Sequence, residues 1–123
     1  MKRAFKTKTF CRWMSKAGLD DDTLRDAVAE METGLIDADL GGGLVKKRVA
    51  LPGTGKRGGA RTIVATNHCG IWFFLFGYQK NERANISKQD EEVLKLLGAK
   101  LLRMDDILLA AALSAGQIRE ITL

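Results

Sequence analysis

Apolar residues recur along this chain with two different periods, and the switches between them divide it into three parts. Phe10, Trp13, Met14 and Ala17 stand at i, i+3, i+4 and i+7, the spacing that lines one face of a helix. Thr7 has the chemistry of that helix's N-cap and Gly18 of its stop, and residues 2–6 read as a short extended lead-in. Asp20, Asp21 and Asp22 open a second helix, where carboxylates complement the positive end of the helix dipole. Leu24, Ala27, Val28 and Met31 form its stripe and Gly34 ends it, so the pair makes a helix hairpin with one apolar side.

From residue 44 the pattern belongs to strands. Segments 44–51, 60–66 and 71–80 are rich in β-branched and aromatic residues, and Asn67–Gly70 joins the last two as a hairpin turn. Residues 52–59, with four glycines, read as a loop. Helical spacing returns after Ser87, an N-cap followed by Asp90, and should bury Val93, Leu94, Leu96, Leu97 and Leu101. Met104-Asp105-Asp106 breaks that helix and starts a short one through Leu113, and Gly116 releases a weak final strand at 118–123. The expected fold is a single α+β domain over 1–123, a small, mostly antiparallel sheet backed on one face by the N-terminal hairpin and a C-terminal helix.

Composition narrows the class. With 46% hydrophobic and 28% charged residues the chain is ordinary for a water-soluble domain. The longest uncharged run, 62–79, is interrupted by Thr66, Asn67, His68 and Gly70 and reads as a hairpin instead of a membrane span. The charged N-terminus has no apolar h-region, so the expectation is a cytoplasmic protein without a signal peptide. Cys11 and Cys69 fall in no CxxC pattern and read as small hydrophobes.

Charge changes the picture more. The net charge of +5 hides a segregation, because residues 40–81 hold Lys46, Lys47, Arg48, Lys56, Arg57, Arg61 and Lys80 and not one of the fifteen acids. A field of this kind attracts a polyanion, most often nucleic acid. Strand alternation puts Lys46 and Arg48 on one face, with Val45, Val49 and Leu51 on the other and Lys47 as the exception. On the third strand Tyr78 and Lys80 should share a face with Trp72, Phe74 and Phe76, and Arg61 opens the middle strand beside the glycine loop. That loop lacks the GxxxxGK[ST] spacing and precedes a strand, which excludes a P-loop triphosphatase. His68 is the only histidine, so two-histidine acid–base chemistry is impossible, and it reads as a turn residue. No carboxylate falls in the basic segment to hold two metals there, and no cofactor is implied.

Lys46-Lys-Arg-Val-Ala50, Gly55-Lys-Arg-Gly-Gly-Ala-Arg-Thr-Ile63 and Tyr78-Gln-Lys-Asn-Glu82, in this order, resemble the HigB branch of the RelE-like bacterial toxins, over a core of about residues 3–102. The resemblance implies a type II toxin, a ribosome-dependent, metal-independent endoribonuclease that cuts mRNA and is neutralised by an antitoxin, usually a helix-turn-helix protein. It implies Arg61 as the phosphate clamp, Lys46 and Arg48 as the basic pair on the preceding strand, and Lys80 and Tyr78 from the KNE segment. Lys47, Lys56, Arg57 and Arg83 become further RNA contacts. Some relatives carry a tyrosine several residues further on, where this chain has Ala84-Asn-Ile-Ser87. Two other classes remain open at this point, a ParE-like toxin that poisons gyrase by binding and a non-catalytic RNA-binding regulator.

Overall fold

The computed structural model describes residues 2–53 and 55–123, with side chains throughout except at 55–58. The element order is β1 (Arg3–Thr7), α1 (Lys8–Ala17), α2 (Asp21–Glu32), β2 (Ala38–Gly41), β3 (Leu44–Leu51), β4 (Gly55–Thr66), β5 (Ile71–Gln79), α3 (Lys88–Leu102), α4 (Asp106–Ser114) and β6 (Ile118–Ile121). The strands form one sheet in the order β2-β3-β4-β5-β1-β6, antiparallel except where β1 runs parallel to β5. The expected α+β class and the helix starts hold. The side-chain oxygens of Thr7, Asp20, Ser87 and Asp105 each accept a backbone N–H from the first turn they cap.

The helices do not share one face. Phe10, Met14, Leu24, Val28 and Met31 of the N-terminal hairpin pack on Val45, Val49, Val64, Trp72 and Phe74. Leu94 and Leu101 of α3 and Leu109 and Ala112 of α4 pack instead with Leu44, Ile63, Ala65, Phe73 and Leu75 on the opposite face. A strand buried on both sides reads as a continuous apolar run, which β5 does, so two helical layers satisfy it and one could not. At Gly98 a Cβ would come within 3.0 Å of the Ala65 Cβ, and this close approach sets α3 directly on the sheet.

Two further departures have local causes, while the expected final strand forms. β4 begins at Gly55, so the glycine-rich stretch is mostly strand and the turn after Leu51 is short. α3 buries Leu94, Gly98 and Leu101 but leaves Val93 60% and Leu96 74% exposed, because its inward stripe takes one residue per turn. The tail packs on its own domain, since β6 pairs with β1 and buries Ile118 and Ile121.

Candidate nucleic-acid interface

Cross-strand pairing assembles the basic residues. Arg48 of β3 stands opposite Arg61 of β4, and Arg61 opposite Tyr78 of β5, so the three form one row across the sheet. A bulge decides which face Tyr78 takes. Ile63 pairs with Phe76 but Val64 pairs with Phe74, which leaves Leu75 as an extra residue and reverses the alternation beyond it. Trp72 and Phe74 therefore face the N-terminal hairpin, whereas Phe76 and Tyr78 lie on the α3 side. The expectation that all four share a face fails at this bulge, and the displacement is what sets Tyr78 beside Arg61.

The segment between β5 and α3 closes the site. Asn85 Oδ1 accepts from Tyr78 Oη at 3.3 Å, from Lys46 Nζ at 3.3 Å and from the Ile86 backbone N–H at 2.9 Å. One amide oxygen thus ties the phenol and the ammonium into a single constellation. Sequence reasoning passed over Asn85. The available signal was an Asn two residues before the α3 N-cap, a position from which its side chain reaches back over the sheet.

Arg61 is the centre of this face. Its Nη1 is buried and makes no hydrogen bond among the described residues. An unmatched guanidinium donor is costly unless an anion completes it, and a phosphate oxygen has the matching geometry. Tyr78 is only 2% exposed, and its burial pushes the phenol pKa up while the charges of Arg61 and Arg83 pull it down. It is thus a protonated donor at neutral pH.

The other candidates separate. Arg48 is exposed but its Nε is engaged by Asp37 at 3.1 Å, which draws it to the sheet edge beside β2. Lys80 is exposed in the turn after β5 and makes no hydrogen bond or ion pair with Arg61, Tyr78 or Asn85. Arg83 lies over the Phe76 ring at 5.5 Å and pairs with Asp90 at 3.6 Å. Lys56 and Arg57 belong to β4, and their side chains lie outside the described residues. Lys47 is a correction. It points to the opposite face, is 3% exposed and pairs with Glu30 of α2 at 2.7 Å, so it holds α2 to the sheet and is not available to RNA. His68 sits in the turn between β4 and β5 with a positive φ of 59°, as a turn residue.

Geometry and charge together define a small α+β protein with a cationic sheet face suited to gripping a phosphate beside a buried phenol. Residues 2–121 match the family described as the RelE toxin of the RelE/RelB toxin–antitoxin system. The chain belongs to that family and is a toxin with a cognate antitoxin. None of the curated proteins matches it.

Proposed function

We propose that this toxin belongs to the HigB branch and is a ribosome-dependent, metal-independent endoribonuclease acting on mRNA in the cytoplasm. The observation that carries the reading is the buried, unmatched Nη1 of Arg61 on the face shared by Lys46 and Tyr78. The ribose 2′-oxygen attacks the adjacent phosphorus and loses its proton. The bond from phosphorus to the 5′-oxygen breaks, that oxygen gains a proton, and a 2′,3′-cyclic phosphate remains. Arg61 stabilises the extra charge on the phosphorane, Lys46 orients the 2′-hydroxyl, and Arg48 and Lys80 hold the flanking backbone. Tyr78 donates to a phosphate or leaving-group oxygen, while Lys56, Arg57 and Arg83 meet RNA outside the bond that breaks. The antitoxin, a helix-turn-helix protein in this reading, docks over the exposed apolar residues Leu96, Ile107 and Leu108.

Primer extension on a reporter mRNA in a purified translation system tests this. Wild type should generate new 5′ ends only when ribosomes are present. Arg61→Ala should lower their yield by about 10² to 10³, the usual loss for one donor to a developing oxyanion. Cleavage at the wild-type rate by Arg61→Ala would remove Arg61 from the mechanism. Translation that continues with no cut ends would end the nuclease reading.

A further inference from the structure

A second cationic surface lies away from the candidate cleavage face. Lys8, Arg12 and Lys16 recur at i, i+4 and i+8 along the exposed side of α1, and Arg119 of β6 faces them across a groove of about 450 Å³. Ser15 adds a hydroxyl, and no carboxylate lines the groove.

The charge there stands uncompensated. Outside the cleavage face, Lys2, Arg3, Lys6, Arg25, Lys47 and Lys95 each pair with a carboxylate. Among the described residues, Lys8, Arg12, Lys16 and Arg119 have no such partner; Lys88, Lys100 and Arg103 lack one too, but the α1 set is the one that lines this groove together. Helix physics disfavours the arrangement, because like charges four residues apart repel and Lys8 sits at the positive end of the dipole with no acid in the first turn. An external polyanion removes that repulsion.

Direction supplies the second argument. α1 crosses β5, with Trp13 over Gly77, and at its end Gly18 lies so near the β3–β4 turn that a Cβ there would stand 3.9 Å from Pro52 Cγ. Three cations rising about 6 Å per four residues therefore lead from the β6 edge toward the β3–β4 turn, along the face of the sheet opposite Arg61 and Tyr78.

We propose that this α1 groove binds the phosphate backbone of single-stranded RNA as a second, non-cleaving contact, on the face of the sheet opposite Arg61 and continuous with the cleavage face around the β3–β4 turn. The inference rests on the RNA-acting reading above, and its test is separable from cleavage.

The probe is a fluorescent single-stranded RNA 20-mer, with Kd measured by anisotropy across a salt series. Replacing Lys8, Arg12 and Lys16 together with Gln should flatten the slope of log K against log salt by about 2 and weaken binding about a hundredfold at 0.1 M salt. A triple variant at Lys2, Arg25 and Lys95, matched in charge, should leave the slope within error. If both triples flatten it equally, net charge explains the effect and the groove fails. Equal loss of a polyglutamate peptide of the same charge would show a site for acidic protein and overturn it too. Should the α1 triple lose its fold, Arg119→Gln and Arg12→Gln, each removing one contact, must flatten the slope by about 0.7. The groove stands without the nuclease if wild type binds RNA through α1 and ribosome-bound mRNA is never cut.

Discussion

Gly77 is the point where a single added methyl should reach the candidate site without touching it. Built on the Gly77 backbone, a Cβ falls 2.3 Å from both Cε3 and Cζ3 of Trp13 and 2.7 Å from Cδ2. Ordinary contact begins near 3.4 Å, so the indole must retreat by roughly 1 Å across its width. It cannot slide freely, since Phe10 packs against it with ring centroids 5.4 Å apart and is itself fully buried against Phe74. Overpacking of this size costs about 1–3 kcal/mol. Exchange of glycine for alanine in a strand returns about 0.5–1 kcal/mol. The net expectation for Gly77→Ala is a loss of about 1–2 kcal/mol, a fall of roughly 4–10 °C in Tm for a domain of this size. Because Tyr78 is the next residue, the same shift should also lower cleavage. The assay is thermal unfolding of four proteins: wild type, Gly77→Ala, Trp13→Leu and the double variant. In the Trp13→Leu background Gly77→Ala should be neutral or stabilising, giving a coupling of 1 kcal/mol or more. An equal penalty in both backgrounds would refute the proposed contact as the cause.

Asn85→Ala should lower mRNA cleavage about tenfold and Tm by several degrees, since it removes the two 3.3 Å hydrogen bonds that hold the Tyr78 phenol and the Lys46 ammonium and the 2.9 Å bond from the Ile86 N–H, each worth about 1 kcal/mol. Primer extension under single-turnover conditions reads the rate. Tyr78 is the only tyrosine, so tyrosinate absorbance reports it alone, and its midpoint should lie above the ordinary value of about 10 and rise further in Arg61→Ala. Since its folded pKa is raised, its contribution to stability is present below the unfolded pKa and is lost as pH rises through the folded one, so the Tyr78→Phe variant should unfold less steeply in alkali. Lys47→Ala should destabilise the fold by about 2–3 kcal/mol, short of the 3–5 kcal/mol for a fully buried pair because Glu30 is partly exposed, and Lys47→Met should recover most of that loss in chemical denaturation.

Much of the fold was legible because short-range chemistry fixes it. The caps at Thr7, Asp20 and Ser87 and the stripe from Leu24 to Met31 depend on residues within a turn of one another, and each appears where its spacing requires. β2 was not legible. It is four residues of alternating half-buried and exposed character, held by pairing to β3, and no local pattern distinguishes it from a loop. The face assignment of β5 failed for a related reason. Its alternation is interrupted by a bulge at Leu75, and in a strand apolar on both sides a bulge leaves no trace in the sequence. The row Arg48–Arg61–Tyr78 was recoverable from antiparallel pairing, whereas Asn85 depends on where a connecting segment crosses the sheet.

Charge segregation was visible in the sequence, but only the structure tells structural cations from functional ones. Lys47 and Arg48 are neighbours in a basic run, yet Lys47 is consumed by Glu30 in the interior and Arg48 is half-engaged by Asp37 at the edge. Both acids come from outside the acid-free stretch, so the fold imports one carboxylate for the buried Lys47 and another for the exposed Arg48. Among the described residues Lys46 and Arg61 receive none, and the groups that frame them, the Asn85 amide and the Tyr78 phenol, are neutral. A neutral frame keeps the guanidinium and ammonium undiminished while it fixes their positions, which is what electrostatic stabilisation of a phosphorane requires. The same reasoning sets α1 apart. Its three unpaired cations stand four residues apart on one helix face and repel one another, so the face that repels itself is the face that a polyanion would quiet.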